Sequence, residues 1–171
     1  SGHRVTLQVV DGARLTTTER KMLRHTGSSV VIQPCWSLDA MVLGPADLAE
    51  IRFLRHNEIP LAALPAETLM DKNPFGKSKW TRYRNGRGGR LHTSDRDDLI
   101  GVGMHADAAV AFHLPPGAEL FSSWVGIDRA VGDGGCAIAS VYLNDRSGQP
   151  VWKSGYLQGG KSSVRVGPLS V

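Results

Sequence analysis

Asp128 and Asp133 stand five positions apart in Gly126-Ile127-Asp128-Arg129-Ala130-Val131-Gly132-Asp133-Gly134-Gly135. Carboxylate oxygens on a glycine-rich turn, supplemented by backbone carbonyls, suit a calcium ion, so both are candidate calcium ligands. Two carboxylates do not make a calcium site alone. The same residues also read as turn formers, with Asp128 capping through its own side chain and Asp133-Gly134 making a tight turn. The Gly-rich run lacks the Lys-[Ser/Thr] pair and following helix of a phosphate cradle, and no motif requires a cofactor.

His105 follows Gly101-Val102-Gly103-Met104. Glycines let the backbone approach something closely, and a histidine there can serve a sugar hydroxyl or a neighbouring strand. His105 and Asp107 would share one strand face, but no nucleophile accompanies them. Trp152 and Lys153, in Pro-Val-Trp-Lys-Ser-Gly, pair a ring that either fills a core or stacks on a sugar with an adjacent donor. Trp124, in the alternating run Leu-Phe-Ser-Ser-Trp-Val, is expected in the core. His105, Asp128, Trp152 and Lys153 are therefore the candidate ligand contacts. No HExxH, GxSxG or Cys–His arrangement is present, and no carboxylate pair for glycoside hydrolysis is identifiable. The chain reads as a binding protein, not an enzyme.

Charge is localised. Residues 1–71 carry a net −1, residues 72–96 a net +7 and residues 97–171 a net −2, within an overall +4. Trp80 and Tyr83 lie inside the basic stretch, and basic residues interleaved with aromatics suit a nucleic acid. The alternative is a solvated linker whose aromatics pack back onto a domain, and no RNA- or DNA-binding motif supports nucleic-acid binding. Cys35 and Cys136 each sit among apolar residues, where buried free thiols are expected. A long-range disulfide is the alternative in an oxidising compartment.

The elements that must position these residues are β-strands. With 171 residues the chain suits one domain, or one domain with a small appendage. Its 20 glycines follow no period of three, and no apolar run is long enough to span a membrane. The opening Ser-Gly-His-Arg-Val-Thr-Leu-Gln has no signal-peptide pattern. Residues 4–10 and 28–36 read as strands. Residues 16–27 read as a short helix or as a polar strand and turn, and residues 45–61 likewise leave helix and strand open. From residue 99 onward short apolar runs alternate with Gly- and Pro-rich turns, the mark of an antiparallel sandwich or barrel. In that region residues 136–145 read as one strand of about eight residues.

Several of these runs, taken together, resemble the NPCBM family of carbohydrate-binding modules. They are Gly103-Met104-His105-Ala106, Phe121 through Val125-Gly126-Ile127-Asp128, Gly132-Asp133-Gly134-Gly135 and Val151-Trp152-Lys153-Ser154. The resemblance covers about residues 97–171 and is looser over residues 53–80. It implies an all-β, antiparallel β-sandwich of the galactose-binding-like jelly-roll type. It also implies non-catalytic glycan binding, to a galactose-type sugar, by a bacterial secreted or surface protein. The setting would be extracellular, periplasmic or the cell surface.

The expected organisation is a small β-rich domain at 1–68, a basic connector at 69–96 and the sandwich at 97–171. Family members continue past the equivalent of Ser162–Val171 with further strands and a late Asp-His-x-x-Trp stretch, so C-terminal strands are expected to be missing here. That leaves a second reading, a structural or assembly module completed by a missing C-terminal segment or a partner chain.

Overall fold

Alternating β-branched and polar residues in Arg4–Val9 point Val5 and Leu7 to one side, and Ser29–Ile32 does the same with Val30 and Ile32. That period of two is what a strand with one buried face requires. In the computed structural model, residues 4–9, 14–18, 22–26, 28–33, 39–55, 57–72, 80–98 and 100–171 are described. Cys35 and Trp36 lie outside them. The chain divides into two compact units, Ser1–Ile59 and Pro60–Val171.

The first unit holds β1 (Arg4–Val9), β2 (Arg14–Thr18), β3 (Met22–Thr26), β4 (Ser29–Ile32), β5 (Met41–Leu43) and β6 (Leu48–Leu54). They form two three-stranded sheets, ordered β2-β1-β6 and β3-β4-β5. Val5, Leu7, Val30, Ile32 and Leu43 make one core, with Leu15, Leu48 and Ile51 packed against it. The register sets Leu7 opposite both Leu15 and Ile51, and Val30 opposite Leu43. Burying such a side chain fully is worth about 1.5–3 kcal/mol. Both ambiguous segments resolve as strand, because pairing with β1 and β4 outweighs the local helix signals at Thr17 and Pro45.

The second unit holds β7 (Ala66–Asp71), β8 (Thr81–Arg82), β9 (Leu91–His92), β10 (Asp97–Asp98), β11 (Val102–Gly103), β12 (Ala108–Phe112), β13 (Leu120–Val125), β14 (Cys136–Ala137), β15 (Ser140–Val141), β16 (Trp152–Lys153), β17 (Leu157–Gln158) and β18 (Val164–Ser170). The pairs are β7–β12, β8–β11, β9–β10, β13–β18, β14–β17 and β15–β16, every one antiparallel. The fold is all-β, and no described residue lies in an α-helix. The strand expected over 136–145 is two short ones. Between them Ala139 pairs with Ser154, whose hydroxyl accepts from the Ala139 amide at 2.9 Å while its own amide donates to the Ala139 carbonyl at 2.9 Å.

Where described, residues 69–96 are built into this unit. Trp80 donates from Nε1 to Thr68 Oγ1 at 3.0 Å and meets Phe112 edge-on at 5.8 Å. Arg82 lies over the Trp80 ring at 4.9 Å and donates to the carbonyls of Ala62 and Leu64. Two of these basic side chains thus hold backbone, since Arg84 likewise donates to the Gly88 carbonyl at 2.8 Å. Asn85, buried, closes the turn by accepting from the amides of Arg87 at 3.0 Å and Gly89 at 2.8 Å. No helix is long and apolar enough to cross a membrane among the described residues.

Gly103 lies directly beneath this turn. A methyl group there would meet the Arg84 carbonyl oxygen, and would come within 2.5 Å of the Asn85 Cα and 2.6 Å of its carbonyl carbon. All three are backbone atoms that cannot swing aside. Gly103→Ala is therefore expected to destabilise the second unit by about 1–3 kcal/mol. Chemical denaturation of the whole chain checks this, and an unchanged midpoint would show that the turn does not sit on Gly103.

Candidate functional site

The hairpin formed by β9 and β10 carries four polar residues at its tip, Thr93-Ser94-Asp95-Arg96. Such residues favour turns because their side chains bond nearby backbone. The Thr93 amide donates to the Arg96 carbonyl at 2.8 Å, and the Thr93 hydroxyl donates to Asp95 Oδ1 at 2.9 Å. Asp95 also reaches across the unit. Its Oδ1 accepts from the Ser163 amide at 2.8 Å, and its Oδ2 accepts from the Ser163 hydroxyl at 3.2 Å. The Ser94 hydroxyl adds a bond to the Lys161 carbonyl at 2.6 Å.

Gly126 makes room for this junction, since a Cβ there would come within 2.9 Å of Thr93 Cγ2 and 3.2 Å of Ser163 Cβ. The amide of Ser163 holds the Asp95 carboxyl below the usual carboxylate range, against the opposing effect of desolvation. The hydroxyls of Thr93 and Ser163 add to the lowering.

Two polar side chains are aimed by the hairpin. Arg96 donates from Nε and Nη2 to the two carboxylate oxygens of Asp98 at 3.1 and 3.2 Å. This two-pronged pairing fixes the guanidinium plane, which lies 4.6 Å from the centre of the Trp124 ring. The ring is 46% exposed, contrary to the core position expected from sequence. The reason is phase: β13 alternates, with Phe121, Ser123 and Val125 turned inward and Leu120, Ser122 and Trp124 turned outward. The guanidinium covers part of the ring and recovers a cation–π contact in place of burial. The second group is His92, whose Nδ1 stands 3.7 Å from Asp128 Oδ2 and 3.1 Å from the Arg90 carbonyl.

Asp128 ends the segment after β13 and caps a single 3-10 turn at Arg129–Val131, its Oδ1 accepting from the Ala130 amide at 2.8 Å. The turn-forming alternative describes it well. Asp133, exposed, presses its carboxylate against Gly160, while the carbonyls of Gly132 and Gly134 crowd Gly159. No group of three or more His, Cys, Asp or Glu side chains that could hold a metal is present among the described residues. One carboxylate is committed to a cap, and no third side-chain donor joins Asp128 and Asp133 among the described residues.

The remaining sequence candidates fall elsewhere in the unit. His105 is half-buried, and its Nε2 lies 3.0 Å from the Gly86 carbonyl, so it pins the turn that sits on Gly103. Trp152, half-buried, pairs with Val141, and Lys153, exposed, pairs with Ser140. No hydrogen bond, ion pair or ring contact joins any two of His105, Asp128, Trp152 and Lys153 among the described residues. The structure instead gathers His92, Asp95, Arg96, Trp124 and Ser163 at one junction. The alternation of Leu120–Val125 was visible in the sequence, but not which of its two faces turns outward. The Asp95–Ser163 bond joins residues 68 apart and leaves no local pattern. Cys136 is a free thiol and is exposed, not buried as expected.

Residues 66–167 match the family model of the NPCBM/NEW2 domain. The match begins well before residue 97, and so takes in β7 and the hairpin that carries Arg96. No curated protein and no solved structure matches the chain.

The lowered Asp95 pKa gives the junction a pH signature. A carboxyl held below its unfolded value stabilises the folded state above that unfolded value, and the contribution is lost as pH falls through the folded value. The Ser163 amide resonance is expected to titrate with a midpoint below that of an ordinary aspartate. In Asp95→Ala the titration disappears and the tip of the hairpin exchanges its amide hydrogens faster. A midpoint at or above the ordinary value would contradict the tether.

Proposed function

The chain belongs to the NPCBM/NEW2 domain family, and on that footing we propose that it binds glycans without transforming them. The observation that carries this reading is the exposed Trp124, held face-on by Arg96 on a rim whose geometry is locked by Asp95 and Ser163. An indole presents a flat apolar face with a low cost in side-chain ordering. The C–H face of a pyranose ring packs on such a surface, and its hydroxyls reach the polar groups at the edge.

His92 and Asp128 supply a donor and an acceptor on the same hairpin-to-loop contact. A galactose-type ring, with hydroxyls on one edge and C–H groups on the other face, suits this division. His105, Trp152 and Lys153 are contacts of the same kind on other parts of the unit. No bond or ring contact joins them to the junction among the described residues, which makes them secondary to Trp124. The family is one of binding modules, which supports recognition in place of catalysis.

A glycan array probed with the whole chain is expected to show binding to a limited set of structures. Trp124→Ala is expected to lower that signal by about tenfold or more, in line with the 1–3 kcal/mol that stacking on an aromatic side chain supplies elsewhere. Silence across a broad array, or full binding by a folded Trp124→Ala variant, would contradict the reading.

A further inference from the structure

Trp124 has a second neighbour whose role the fold does not use. In the β13–β18 pair, Arg165 stands directly opposite Trp124. Residues directly opposite in an antiparallel pair point to the same face, with Cβ atoms about 4.5–5.5 Å apart. Arg165 is exposed and makes no ion pair or side-chain hydrogen bond among the described residues. Arg96, on the ring itself, is different, because Asp98 compensates its charge through both carboxylate oxygens. The carboxylate at the hairpin tip, Asp95, is likewise committed to Ser163. The face therefore presents the exposed part of the Trp124 ring that Arg96 leaves uncovered, with a guanidinium at its side that has no ion-pair partner among the described residues.

Resting on the glycan-binding reading, we propose that this face selects an acidic sugar, a hexuronate residue whose ring stacks on Trp124 and whose carboxylate pairs with Arg165. A guanidinium matches a carboxylate with two parallel N–H···O bonds. A primary alcohol at the same carbon offers no such match. Charge complementarity thus assigns the occupant: a neutral hexose uses the ring alone, whereas a hexuronate uses the ring and the cation. Arg96, already satisfied by Asp98, orients the ring and leaves the carboxylate to Arg165.

The test compares oligogalacturonate with the same oligosaccharide after its carboxylates are reduced to primary alcohols, titrated into the whole chain by calorimetry. The acidic form is expected to bind about tenfold tighter, the scale of one charge-assisted pair at a partly exposed site. That advantage is expected to shrink as salt is raised from low to physiological ionic strength. Arg165→Gln should abolish the advantage while leaving the neutral form bound as before. Arg165→Lys should restore only part of it, because an ammonium lacks the planar fork. Both substitutions are on an exposed position, and their amide spectra confirm the fold.

Equal binding of both forms, or an acidic preference untouched by Arg165→Gln, overturns the assignment of the carboxylate to Arg165 and leaves glycan binding intact. Failure of both forms to bind, when other glycans bind and Trp124→Ala abolishes that binding, also overturns the acidic-sugar assignment alone. No binding to any glycan overturns both.

Discussion

The carboxylate of Asp95 is the constraint on which the candidate site depends. It takes the amide and hydroxyl of Ser163 on one side and the Thr93 hydroxyl on the other. A hairpin with only two paired positions has little stability alone. Tied to the residue that precedes β18, it gains a fixed place beside β13. Arg96 then lies over Trp124, and His92 faces Asp128, without either being held by its own short strand. Gly126 permits the closeness, since any side chain there would separate Thr93 from Ser163.

The two units are stabilised differently. The first buries Val5, Leu7, Val30, Ile32 and Leu43 in one cluster. The second has Ala62, Leu157 and Val166 as its buried apolar residues among those described, with Asn85, Ser154 and Ser163 buried alongside. Each buried polar residue closes a turn or bridges two segments: Asn85 the 85–89 turn, Ser154 the β15–β16 region, Ser163 the hairpin contact. Buried polar groups are costly unless bonded, so their satisfaction specifies where the loops lie. Loops positioned in this way are where binding residues are commonly carried.

Much of the architecture was legible in the sequence. Strand-like runs punctuated by Gly and Pro gave the all-β, antiparallel class, and the motif series from Gly103 to Ser154 gave the family. What was not legible follows from distance and phase. Local helix signals at Thr17 and Pro45 left helix and strand open, because the strands' partners lie elsewhere in the chain. Trp124 was expected inside because large aromatic residues usually are. Its outward phase is set by Phe121, Ser123 and Val125 facing in, which only the pairing with β18 reveals. The basic residues at 82, 84 and 96 read either as a nucleic-acid contact or as part of a solvated linker. Their partners are backbone carbonyls and Asp98, which no charge count can show.

The central claim is that the outward face of Trp124, framed by the tethered hairpin, is where a sugar ring rests. The indole N–H resonances of the tryptophans, followed while a bound glycan is titrated into isotope-labelled protein, test this most directly. The account predicts a progressive shift of the Trp124 signal, while Trp80, whose indole nitrogen is bonded to Thr68, stays in place. A bound glycan that shifts Trp152 and leaves Trp124 unmoved would contradict it.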